Sequence, residues 1–288
     1  MLYGGLHFGE GPRWHDGRLW YSDFYDRAVH AIDLDGNDER ILEIEGQPSG
    51  LGWLPDGSLL VVSMLDRRVM RWDGTRLTEH ADLSGLATFH CNDMVVGSDG
   101  TAWIGSFGFD LEAFLAQHGP AGILDPGPPP TVLMRVDLDG TVNVAADDIA
   151  FPNGVVLSPD GRTMVLAESL GMRLTAFDVA ADGTLSGRRT FADLTAGPVI
   201  PDGISLDAEG AVWVANAIAP QCLRIEDGGK VLDEVTTSQA AHACMLGGPD
   251  GRHLFITTAP DSSSVERAAT RAGRIELAEV AVPHAGLP

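Results

Sequence analysis

Four polar side chains stand at matching places in widely separated segments: Glu10, Asn92, Asn153 and Asp202. Asn92, Asn153 and Asp202 each lie seven residues before an acidic residue that precedes glycine (Asp99, Asp160 and Glu209), and Glu10 lies six before Asp16. Two carboxylates and two carboxamides brought to one point without a basic partner repel one another unless a cation sits between them. Hard oxygen donors of this kind hold calcium, magnesium or manganese, and a few such oxygens with water also hold zinc. Taken singly, each residue has a plainer reading, because Asn153-Gly154 and Asp202-Gly203 are ordinary turn pairs. The shared phase favours a metal site over isolated turns.

Residues so far apart converge only in a repeating fold. The segments GEGPRWHDGRLWYSD from Gly9, PSGLGWLPDGSLLVVS from Pro48, CNDMVVGSDGTAWIGS from Cys91, PNGVVLSPDGRTMVLAES from Pro152, PDGISLDAEGAVWVANA from Pro201 and HACMLGGPDGRHLFITT from His242 share one grammar. In each, an apolar run reaches an acidic-Gly turn and a second apolar run follows, the signature of a tight hairpin in which glycine takes the positive φ. The turn acids Asp16, Asp56, Asp99, Asp160, Glu209 and Asp250 recur at intervals of roughly 40 to 60 residues. A third run, such as RAVHAIDLDG or LMRVDLDG, and a more polar fourth, such as GNDERILEIE or GTLSGRRTFADL, complete each unit. Charge on that fourth strand suits an outer edge that must not pair with other molecules.

Six such units predict an all-β, six-bladed β-propeller with four antiparallel strands per blade, a single domain spanning residues 1–288. The first strand of each blade lines the central channel, so the in-phase residues of the first, third, fourth and fifth units meet at its mouth. The equivalent residues of the second and sixth units, Ser49 and Ala243, add no charge. The sixth blade can take its outer strand from LYGGLHF at the N-terminus or from the C-terminal tail.

The third unit is longer than the others by an insertion over about residues 107–131. It contains a helix expected over 110–118 with Gly119 as its stop, then a stiff proline loop over 125–130. Loops between second and third strands share a face with the starts of the first strands, so the insertion is expected to overhang the channel mouth as a lid or wall; a surface excursion is the plainer alternative. Asp23, Ser106, Glu168 and Asn216 end second strands on that face and either orient ligands or cap loops. Arg13, on an inner strand, is a candidate buried counter-ion.

Composition limits the partners. The net charge of −22 argues against nucleic acid, whose phosphates demand Lys and Arg. No apolar run is long enough for a membrane helix, and MLYGGLHFGEG lacks the basic and apolar segments of a secretory signal, so a cytoplasmic location is expected. Cys91, Cys222 and Cys244 form no CxxC pair and suit a reducing compartment as small buried hydrophobes.

Glu10-Gly11-Pro12 before Trp14, Asn92-Asp93 before a GSDG turn, Phe151-Pro152-Asn153-Gly154 before LSPDG, and Pro201-Asp202-Gly203 before LDAEG resemble the senescence marker protein/gluconolactonase family, also called regucalcin-like. The resemblance spans the chain in order. It implies a six-bladed propeller that binds one divalent metal in its channel and hydrolyses sugar lactones. By position, it makes Glu10, Asn153 and Asp202 the metal ligands, Asn92 a contact to substrate or to water on the metal, and Asp202 the proton acceptor. One departure stands out: His90 replaces the arginine that members often carry two residues before the Asn, so His90 is a candidate substrate contact without a forked permanent charge. The other eight histidines show no ligand spacing and read as surface or core.

The resulting expectation is a metal-dependent lactonase in which the ion polarises the carbonyl and either Asp202 or the ion itself activates the attacking water. The same site acting on another ester, such as a phosphotriester or a lipophilic lactone, is one alternative. A non-catalytic ligand-binding propeller is the other, because the fold alone does not specify a function. The partner is a small-molecule lactone, with no nucleic acid and no membrane; the sequence is silent on oligomeric state.

Overall fold

The computed structural model describes residues 1–123, 125 and 127–286 of the 288-residue chain. It contains six four-stranded antiparallel sheets, five of them ordered from inner to outer strand as the chain runs and the sixth taking its outer strand from the start of the chain. The inner strands are Gly9–His15, Pro48–Trp53, Cys91–Val96, Pro152–Leu157, Pro201–Leu206 and Ala240–Gly247. Together the sheets form the expected six-bladed β-propeller.

The repeated turn has one variation with a positional consequence. In the first blade, Asp16 (φ 49°) and Gly17 (φ 75°) form a two-residue turn between paired His15 and Arg18. In the second blade, Gly57 (φ 84°) closes a turn one residue longer, its N–H donating to the Leu54 carbonyl at 2.9 Å. The shorter turn accounts for Glu10 lying six residues before its acid where its counterparts lie seven before theirs.

Apolar side chains pack between blades. Among the described residues each of the six junctions holds one buried cluster, such as Leu60, Val62, Met94 and Ile104 between the second and third blades. Leu19, Tyr21, Phe255 and Ile275 form the cluster that joins the sixth blade to the first. Inner strands are buried along nearly their whole length, while outer strands such as Val231–Thr236 are largely exposed, as their polar composition requires. The ring is closed by the N-terminus: Tyr3–Leu6 is the outer strand of the sixth blade, pairing Tyr3 with Ile275.

The insertion in the third blade forms helix α1 (Leu111–His118), followed by a short 3-10 turn at Pro120–Ile123. Asp110 caps it by accepting the Ala113 N–H at 2.9 Å, and Gly119 (φ 68°) ends it. Leu124 and Pro126 lie outside the described residues, so the expected proline loop over 125–130 is described only in part. A second helix, α2 (Ser264–Ala269), lies between the second and third strands of the sixth blade and had no counterpart in the sequence reading. Among the described residues, no helix is long and apolar enough to cross a membrane.

Candidate metal centre

Every inner strand carries a break in register at the same place. The shift falls between Glu10 and Arg13, Pro48 and Leu51, Cys91 and Met94, Pro152 and Val155, Pro201 and Ile204, and Ala241 and Ala243. A bulge re-aims the side chains of the residues it contains; Asn92, Asn153 and Asp202 lie inside these bulges, and Glu10 borders that of the first blade. Glu10, Asn92, Asn153 and Asp202 are all buried, and all line one cavity of about 490 Å³ at the channel mouth.

Asn153-Gly154 and Asp202-Gly203 therefore lie inside strands and do not form turns. Their glycines serve close approach. A Cβ on Gly154 would stand 2.5 Å from the Ile204 nitrogen, and one on Gly203 would stand 2.5 Å from Ala243 Cβ. Only glycine lets neighbouring inner strands converge this tightly around the axis.

Hydrogen bonds fix the amides. Asn92 Nδ2 donates to Asn153 Oδ1 at 3.0 Å, and its own Oδ1 accepts from Ser49 Oγ at 3.1 Å. Asn153 Nδ2 donates to Ser169 Oγ at 3.1 Å, and that hydroxyl donates to the Pro201 carbonyl at 2.7 Å. Asn153 Oδ1 is thus held on the same side as Asn92, with a lone pair to spare.

The carboxylates are poorly compensated. Burial, reinforced by the Asp202 and Asp93 charges, pushes the proton affinity of Glu10 well above the carboxylate range. Burial also raises Asp202, against the opposing pull of His242 and Asn153. Asp93, one residue past Asn92, is pushed up to about 6 by burial, with Arg13 opposing and Asp202 adding. Arg13 is buried among these acids as the expected counter-ion, but its guanidinium donates to the Pro12 and Met94 carbonyls. A single guanidinium does not neutralise three carboxylates.

His242 completes the group and was missed in the sequence, where it read as a core or surface histidine. It is buried, its Nδ1 lies 3.4 Å from Asp202 Oδ2, and its Nε2 has no hydrogen-bond partner among the described residues. Ligand atoms of Glu10, Asp202 and His242 lie within 4.8 Å of one another. The signal for His242 was faint: it is one residue out of phase with the other four, and the narrower bulge of the sixth blade compensates.

Two carboxylates, an amide carbonyl and an imidazole nitrogen around one point, with an unpartnered nitrogen and uncompensated charge, fit a divalent cation. His90 lies at the cavity wall, stacked on Phe89 with ring centroids 4.0 Å apart, and burial holds its proton affinity below the usual imidazole range.

The four candidates at the ends of second strands do not face the cavity. Asp23 accepts the His7 and Phe8 N–H groups, Ser106 accepts from Gly108, and Asn216 accepts from Ile200 while donating to the Pro198 carbonyl. Glu168 accepts the Ala150 N–H and pairs with Arg173 and Arg188, holding the loop that leads into Asn153. All four cap loops. The residue that does reach the site, Ser169, is the next one along.

The sequence matches the family described as SMP-30/Gluconolactonase/LRE-like region over residues 8–260. The chain belongs to this family. Among SMP-30/gluconolactonase relatives, a pentonolactonase of Haloferax volcanii is 27% identical over 260 residues, covering 87% of this chain and 81% of that one. A 6-deoxy-6-sulfogluconolactonase of Pseudomonas putida is 25% identical over 270 residues, covering 91% and 86%. The solved structure of a regucalcin from Agrobacterium tumefaciens, described as calcium-binding, superposes with a TM-score of 0.78 at 23% identity, covering 99% of this chain and 93% of that one.

Proposed function

We propose that this protein is a divalent-metal-dependent lactonase that opens a small lactone ring by hydrolysis. The observation that carries this reading is the convergence of Glu10, Asp202, Asn153 and His242 at the base of a cavity large enough for a small ester. Two relatives named as sugar lactonases and a calcium-binding structural neighbour support it.

Glu10, Asn153 and Asp202 would hold the ion, with His242 as a further donor. When bound, the ion supplies Lewis-acid polarisation of the ester carbonyl and charge stabilisation for the oxyanion. Asp202 takes the proton of the attacking water, and its contact with His242 keeps the carboxylate oriented. Asn92, whose amide is fixed by Ser49 and Asn153, hydrogen-bonds the substrate or the water, and His90 touches the substrate from the wall. Calcium, zinc, magnesium and manganese all suit such donors. Three free, buried cysteines support a cytoplasmic setting.

Metal analysis of the purified protein, followed by a panel of lactones and phosphotriesters assayed with each ion, tests the reading. Absence of lactone turnover with every ion overturns it. Asp202→Asn should lower kcat on the order of 10²–10⁴-fold while the protein stays folded by circular dichroism.

A further inference from the structure

Above the polar floor, the cavity wall is largely hydrocarbon, with Tyr25, Gln47, His90, Asp110 and Glu112 among its polar members. Phe8, Phe24, Met64, Phe107, Leu115 and Phe151 line it. Phe8, Phe24 and Met64 form a buried cluster with Phe107 packed against it, and Phe107 stacks on Phe151 at 4.5 Å between ring centroids. Among the described residues that line the cavity, none is Lys or Arg.

The lid extends this wall. Leu111 and Leu115, one helical turn apart on α1, both face the cavity. The α1 helix is held over the mouth from the opposite side of the ring, because the Ser264 N–H at the start of α2 donates to Glu112 Oε1 at 3.2 Å. At the lip, Leu65 and Ile218 are left 39% and 55% exposed. Exposed apolar side chains around an apolar pocket mark a surface that a ligand covers.

Resting on the lactonase reading, we infer that the substrate is an uncharged lactone whose ring carries an apolar alkyl or aryl substituent, in place of the hydroxyls of a sugar lactone. The ring ester sits on the Glu10, Asn153 and Asp202 floor, and the substituent lies against Phe107, Phe151 and Leu115. A polyhydroxylated ring lying against Phe107, Phe151 and Leu115 would lose water's hydrogen bonds to phenyl and alkyl groups, which return none. An anionic substituent would meet acids with no wall cation to receive it.

The test measures kcat/KM for gamma-butyrolactone, gamma-hexalactone, gamma-octalactone, gamma-decalactone and glucono-δ-lactone with the metal-loaded protein. Values should rise roughly threefold to fourfold per methylene until the cavity is filled. In the variant Leu115→Asp, the ratio of kcat/KM for gamma-decalactone to that for gamma-butyrolactone should fall about tenfold. Calorimetry with the non-hydrolysable lactam analogue of gamma-decalactone should give binding with a negative heat-capacity change, and the unsubstituted lactam should bind far more weakly. If glucono-δ-lactone is the better substrate, or chain length has no effect, this inference falls and the lactonase reading stands. If no lactone turns over with any ion, both fall.

Discussion

At the scale of residues, the centre is a set of buried acids whose charges the protein alone does not balance. Burial raises the proton affinity of Glu10, Asp202 and Asp93, the last to about 6, so the metal-free folded protein binds protons more tightly than the unfolded chain. Stability from these groups is full below the unfolded carboxylate range of about 4 and is lost as pH rises through their raised folded values, about 6 for Asp93. The melting temperature of the metal-free protein should therefore fall between about pH 4 and pH 7. A divalent ion that binds the folded state should restore it at neutral pH, which a thermal melt with and without chelator would show. A flat profile without metal would mean that the acids are otherwise compensated. Ser169→Ala removes the hydroxyl that holds the Asn153 amide and should weaken metal affinity about ten- to a hundredfold in a calorimetric titration.

At the scale of elements, the site is a product of six bulged strands meeting edge to edge. The bulge turns one side chain per blade into the channel, and in the first, second, fourth and fifth blades a following glycine lets the next strand come close. In Gly203→Ala the new Cβ would meet Ala243 backbone and side chain at 2.6 and 2.5 Å. Relief requires moving two inner strands, at a cost of about 1–3 kcal/mol and a melting temperature lowered by roughly 2–4 °C for each kcal/mol. The helical insertion was legible from Asp110 and Gly119, whose capping chemistry is local. Its contact with α2 was not, because Glu112 and Ser264 are brought together only by ring closure.

At the scale of the whole molecule, closure by Tyr3–Leu6 ties the start of the chain to its last blade. Deleting residues 1–5 would strip Gly273–Glu279 of its outer partner and uncover the Leu2 and Tyr3 side of the junction cluster. The shortened protein should melt several degrees lower than the full chain; an unchanged melting temperature would mean that the closing strand contributes nothing. The sequence by itself determined the six-fold repeat, the hairpins and the phase of Glu10, Asn92, Asn153 and Asp202, because turn chemistry and alternating burial act over a few residues. It also pointed to Arg13 as a buried counter-ion. It did not disclose His242 and Ser169, one residue away from positions that were singled out, or the apolar wall above the floor. Those depend on bulges that shift register and on contacts between blades about 30 to more than 150 residues apart in sequence. Only the closed ring decides such contacts, because the energy that sets them comes from packing between elements and not from the local preferences of the chain.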